Sequence, residues 1–262
     1  MRRTCCGLLV TGLFLFAPVG PAAALPFVEV WGELRYWRPT LESSIVASTG
    51  ASQGTTVDPV SDLGLDEEQN AFEARAGVTL LGRHKFRIGY LPLSFDGDRT
   101  LAATQSITFQ GQTFTGSTRV LTDLDVKILR AGYEFDFFKT PLGYLGILFE
   151  VHYFDGEARL RTTTAPIRDE TVDFKVPVPV VGLAFRTYPT ITRIVSLGAE
   201  LVGVYAGSTG HYLDGEASIT FSPWPFVELT GGYRVIDLEG EDGDDKLDLF
   251  LHGPFASLTI RF

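Results

Sequence analysis

The chain has 262 residues, a formal net charge of −10 and 45% hydrophobic residues. Such an acidic chain lacks the clustered cations that nucleic-acid phosphates require, so no nucleic-acid partner is expected. Both cysteines, Cys5 and Cys6, lie near the start, so the rest has no thiol, disulfide or cysteine-ligated metal.

Arg2 and Arg3 precede an apolar run, Gly7 to Ala17, followed by Pro21-Ala22-Ala23-Ala24. A basic head, an apolar core and an A-x-A-type site predict a cleaved secretory signal peptide over 1–24. Cleavage leaves one domain, 25–262, of about 238 residues; loss of two Arg takes the charge from −10 to −12. Acylation as a lipoprotein does not fit, because Cys5 and Cys6 precede the apolar run. No later stretch has eighteen successive apolar residues, so no transmembrane helix is expected. Membrane residence would then require a closed barrel, since an open sheet leaves backbone donors unpaired in hydrocarbon.

The remainder alternates apolar and polar residues with period 2, the mark of strands with two differently solvated faces. Strands are expected near 27–41, 70–81, 85–96, 119–137, 144–156, 172–187, 194–206, 211–222, 226–238 and 246–262. Short connections fall at Gly82-Arg83-His84, Lys139 to Gly143, Tyr188-Pro189-Thr190 and Pro223-Trp224-Pro225. The others are expected near 42–69, 97–118, 157–171, 207–210 and 239–245. Within the second of them, Gln110-Gly111-Gln112 sits between Ser106–Phe109 and Thr113–Thr115 as the turn of a small hairpin. Short turns on one side and long loops on the other predict an all-β fold, an antiparallel transmembrane β-barrel of about ten strands. Eight strands would follow if a weaker segment such as 211–222 were loop.

Residue type decides which face meets lipid. Phe72, Ala74, Ala76, Val78 and Leu80 oppose Glu73, Arg75 and Thr79, and Leu145, Ile147, Phe149, Val151 and Tyr153 oppose Glu150 and His152. A Lys or Arg on the lipid face would cost about 2–4 kcal/mol at the midplane, so the charged face is assigned to the lumen. That face carries Glu29, Glu33, Arg35, Glu73, Arg75, Lys85, Arg87, Arg130, Glu134, Glu150, His152, Arg186, Glu200, Glu228, Arg234 and Arg261. Both signs occur in similar numbers, so the lumen is expected to close into ion pairs or to leave a narrow, porin-like wet path. Aromatic girdles are expected from Phe137, Phe138, Tyr144, Tyr188, Trp224 and Phe262 at the short turns. Tyr36, Tyr153, Tyr205 and Tyr233 would form the other girdle, near the long loops.

The chain ends Ala256-Ser257-Leu258-Thr259-Ile260-Arg261-Phe262, again alternating. With the leader, and with Gly232-Tyr233-Arg234-Val235-Ile236-Asp237-Leu238 before the last loop, this ending resembles the small bacterial outer-membrane β-barrel superfamily. Outer-membrane protein W, an eight-stranded barrel, and the surface-antigen barrels are members. The resemblance implies a barrel of the Gram-negative cell envelope. Leu258, Ile260 and Phe262 would be the assembly signal read by the barrel-assembly machinery, and outer-membrane lipid and lipopolysaccharide would surround a monomer.

Chemistry is weakly signalled. Glu150 and His152 share a face, but no serine in their strand joins them, and His211 and Asp214, three apart, point to opposite faces. Glu-Gly-Glu-Asp-Gly-Asp-Asp at 239–245 lacks EF-hand spacing and reads as a solvated turn. The expectation is a non-enzymatic barrel without catalytic, cofactor or metal residues: a structural surface protein or a passage for small solutes. The alternatives are a lipid A-modifying or omptin-like protease barrel, and a secreted soluble β-barrel binding a small apolar ligand.

Overall fold

Alternation is realised as long strands. The computed structural model describes residues 27–46, 56–102, 106–109, 112–163, 167–242 and 245–262; the expected leader, 1–24, lies outside them. The strands are β1 (Val28–Trp37), β2 (Thr40–Val46), β3 (Thr56–Val57), β4 (Ala71–Leu80), β5 (His84–Thr100), β6 (Ser106–Phe109) and β7 (Gln112–Thr115). They continue with β8 (Arg119–Thr140), β9 (Gly143–Thr162), β10 (Asp169–Thr187), β11 (Val195–Tyr205), β12 (Gly210–Trp224), β13 (Val227–Asp242) and β14 (Asp245–Arg261).

Each barrel strand pairs antiparallel with its neighbours in the order β1, β4, β5, β8, β9, β10, β11, β12, β13, β14, and β14 returns to β1. The circuit holds ten strands, which excludes the eight-strand count. Closure removes every sheet edge from the lipid band. β14 is the seam: Phe255–Arg261 pairs with β1, and Lys246–His252 pairs with β2. β1 and β2 are thus one strand, broken at Arg38-Pro39, where proline has no ladder donor to give.

The expected strands run longer in places. β9 and β10 pair from Arg161↔Asp169 downwards, so most of the expected loop 157–171 is sheet. β13 and β14 pair as far as Asp242↔Asp245, so most of the expected loop 239–245 is sheet; residues 243 and 244 lie outside the described residues. Charged residues in these stretches made loop the natural reading, although a strand that has left the lipid can carry charge on its outer face. β6 and β7 pair as the small hairpin expected in the 97–118 connection. The first short turn is centred on Leu81 (φ 53°) and Gly82 (φ 62°), and Arg83 N–H donates to Leu80 O at 3.1 Å. Positive φ at both central residues is the primed turn that matches strand twist.

The outer face of the lower and middle barrel is apolar and exposed: Leu34, Phe72, Ile88, Leu129, Phe149, Leu183, Leu201, Ile219 and Leu229 all point out. Phe137, Phe138, Trp224 and Phe262 lie exposed near the short turns, with Tyr36, Tyr205 and Tyr233 towards the loops. Tyr144 departs from the expected girdle. It shares parity with Glu150 and His152 and faces the lumen, under the Lys85 ammonium at 3.6 Å.

The charged lumen and its apolar cap

All sixteen residues assigned to the lumen by alternation share the inward parity of their strands. Parity sets the face; height along the strand then sorts them into tiers.

At the turn end, Lys85 Nζ reaches Glu134 (2.6 Å) and Asp136 (3.0 Å). Across the barrel, Glu228 lies between Arg186 (3.3 Å) and Arg261 (2.9 Å), and Arg261 also reaches Glu29 (3.5 Å). One step deeper, the Arg87 guanidinium is shared by Glu150, Glu200 and, at 3.7 Å, Glu134. Arg35 pairs with Glu33 (3.0 Å) and with Glu216, which Arg75 approaches at 3.5 Å. The deepest tier centres on Arg234, which is fully buried and donates to Asp214 (2.8 Å) and Glu73 (3.0 Å). Arg130 joins it, 2.9 Å from Asp214.

Asp136, Asp214 and Glu216 are partners in this network beyond the sixteen. Their parity was available in the sequence, Asp136 lying two residues after Glu134, and Glu216 two after Asp214. Weighing Asp214 only as a partner for His211 hid its role. Glycine makes room where the charges cross the barrel: a Cβ on Gly132 would stand 2.4 Å from Glu150 Oε1.

His152 is fully buried. Its Nε2 lies 3.0 Å from Glu150 Oε2 and its Nδ1 lies 2.9 Å from the Tyr212 hydroxyl. His211 sits on the outer wall, 3.2 Å from both Asp237 and Glu239, while Asp214 is inside. Neither histidine stands beside a serine among the contacts described. Among the described residues, no three or more His, Cys, Asp or Glu side chains are arranged to hold a metal ion.

Above the Arg234 tier the lining changes. Trp37, Leu91, Phe95, Ile128, Phe154, Tyr212, Ile236, Leu251 and Phe255 point inward and form one buried cluster, with Leu65 of the first long loop. Two cation–π contacts join cap to charges: Arg234 over Trp37 (4.9 Å) and Arg35 over Phe255 (4.0 Å). Among the charges, a cavity of about 780 Å³ opens between the short turns, its rim set by Phe27, Gly82, Lys139, Tyr188, Phe226 and Phe262. The lumen is therefore blind, wet at the turn end and capped at the loop end. The ion pairs do not fill it; the apolar residues close it.

No family model matches this sequence, and no curated protein matches it. Solved structures do match in shape. The outer-membrane protease OmpT from Escherichia coli aligns with a TM-score of 0.53 at 9% identity, covering 90% of this chain and 97% of its own. The translocator domain of the autotransporter NalP from Neisseria meningitidis aligns at 0.49 and 12% identity, covering 90% of this chain and 88% of its own. Ail, the attachment invasion locus protein of Yersinia pestis, aligns at 0.36 and 10% identity, covering 88% of this chain and 99% of its own. The chain has the fold of the small bacterial outer-membrane β-barrels. In such barrels the short turns face the periplasm and the long loops face outwards; here the vestibule opens on the short-turn side. Leu258, Ile260 and Phe262, the expected assembly signal, are exposed on the outer face.

Proposed function

We propose that this outer-membrane barrel is a non-enzymatic surface protein whose lumen does not conduct. One observation carries the reading: at the loop end Trp37, Leu91, Tyr212, Ile236 and Leu251 are each 3% exposed or less, so no water column passes them. The same cap separates His152 from the outside. The tall wall of β5, β8, β9 and β10, with 17 to 22 residues per strand, offers the extracellular surface such a role needs. The reading includes export behind a cleaved signal ending at Ala24, assembly through Leu258, Ile260 and Phe262, and a monomer surrounded by lipid and lipopolysaccharide.

The test is single-channel recording of the purified protein in planar bilayers. Absence of conductance is expected, and a steady conductance of porin size would overturn the proposal. The mass of the mature protein checks cleavage after Ala24, and an impermeant label on a Ser117→Cys variant in intact cells checks that the loops face outwards.

A further inference from the structure

The turn-side vestibule is larger than its own ion pairs require, and its walls are unequal. From β1, β4, β5, β8 and β9 come long side chains such as Arg75, Arg87 and Glu150, whereas much of the facing wall on β11 to β14 is Gly198, Ser218, Thr230 and Thr259. Small residues there leave about 780 Å³ open on the short-turn side.

Charge in this space is divided by depth. At the mouth two guanidiniums, Arg186 and Arg261, share the single carboxylate Glu228, with Glu29 only at 3.5 Å from Arg261. Arg261 Nε is buried and has no hydrogen-bond partner. Arg186 thus has only a carboxylate that it shares, and the Arg261 guanidinium keeps one donor unused. Deeper, three carboxylates, Glu134, Glu150 and Glu200, share Arg87, and Glu200 has no other ion-pair partner among the described residues. The Glu200 side chain is 24% exposed, more open to the cavity than its two competitors. Glu134 also pairs with Lys85 and Glu150 bonds His152, so Glu200 is the carboxylate of that level that relies on Arg87 alone. Glu200 lies opposite Ala184, two residues above Arg186 on the neighbouring strand, so the two levels are about 7 Å apart at the usual strand rise.

We infer that the vestibule binds a short zwitterionic peptide from the periplasmic side, its carboxylate between Arg186 and Arg261 and its ammonium on Glu200. An extended dipeptide has its two charged ends about 7 Å apart, which fits the spacing of the two levels. The hydroxyls of Ser218, Thr230 and Thr259 line the space between and can bond a peptide group. The inference rests on the capped outer end, which makes the vestibule a dead-end site rather than part of a channel. Conductance reports the cap and ligand titration reports the site, so each can fail alone.

The experiment is calorimetric titration of the detergent-solubilised barrel with dialanine. Saturable binding is expected. Acetylating the amine or amidating the carboxylate should each weaken it at least tenfold on the unaltered protein, a comparison that needs no variant to fold. Arg186→Gln and Glu200→Gln, each checked for a heat-modifiable barrel, should weaken dialanine to the same extent and abolish the preference against one capped form. Absence of binding at millimolar dialanine would overturn the inference. So would equal affinity for free and capped peptides, which would reduce the vestibule to a water-filled hollow.

Discussion

The two ends of the lumen are built by the same ten strands with opposite materials. Towards the loops, inward positions carry Trp37, Leu91, Phe95, Phe154 and Ile236, which interlock and exclude water. Towards the turns, the same parity carries Arg, Lys, Glu and Asp, which must be paired or hydrated and so cannot collapse into a solid core. The apolar end closes the barrel, and the charged end holds it in register by ties that cross it. Register and closure therefore reside in different places, meeting where Arg234 stacks on Trp37.

The sharpest test of that division is Arg234→Ala. It strips two buried carboxylates, Asp214 and Glu73, of a shared partner, and breaking a buried pair from one side costs about 3–5 kcal/mol. Chemical unfolding in lipid vesicles should show a loss of that order, whereas an unchanged midpoint would mean that Arg130 and water replace Arg234. Trp37→Ala should cost about 3–5 kcal/mol as well, because a fully buried side chain leaves a cavity. Its distinguishing signature is conductance: opening the cap should produce channel events that Arg35→Ala, one tier below, does not. Leu91→Ala, equally buried, should cost about 2–5 kcal/mol and give rarer openings.

Phe262→Asp should leave the folded barrel close to its original stability, since Phe262 is 69% exposed. It should sharply lower the amount of heat-modifiable protein in the membrane. Equal amounts of inserted variant and parent would remove the assembly role. The smallest effect belongs to the first loop. Burial alone would raise the pKa of Asp58, but N–H bonds from Ser61 and Val60, both at 3.0 Å, prevail and hold it below its ordinary value. A depressed carboxyl contributes stability above its ordinary range and loses it as pH falls through the folded value. Limited proteolysis of residues 58–66 should accelerate only on acidification into that range, and Asp58→Asn should flatten the response.

Much of this was legible in the chain itself. Alternation in Phe72 to Leu80 and Leu145 to Tyr153 assigned the faces correctly, because side-chain period 2 is local and independent of partners. Ten segments with alternating connection lengths gave the ten-stranded barrel. The cap was not legible. Where strands leave the lipid band, inward positions such as Leu91, Leu93 and Phe95 are apolar, while Ser94 and Asp96 on the outer face are polar. The contrast therefore reverses midway along one strand, and a reading that expects a charged lumen throughout does not register the apolar upper part of 85–96 as a plug.

The sequence by itself determined which side chains point inward and how the barrel strands follow one another, since these depend on neighbours one or two residues away. Only the tertiary structure decided which charges meet and what space remains. Arg234 and Glu73 are 161 residues apart and touch because closure brings β13 across from β4. Height in the lumen follows from register, and register is fixed by ten simultaneous pairings around the circuit. That is why a list of inward charges gave neither the blind, two-ended lumen nor the division of charge within it.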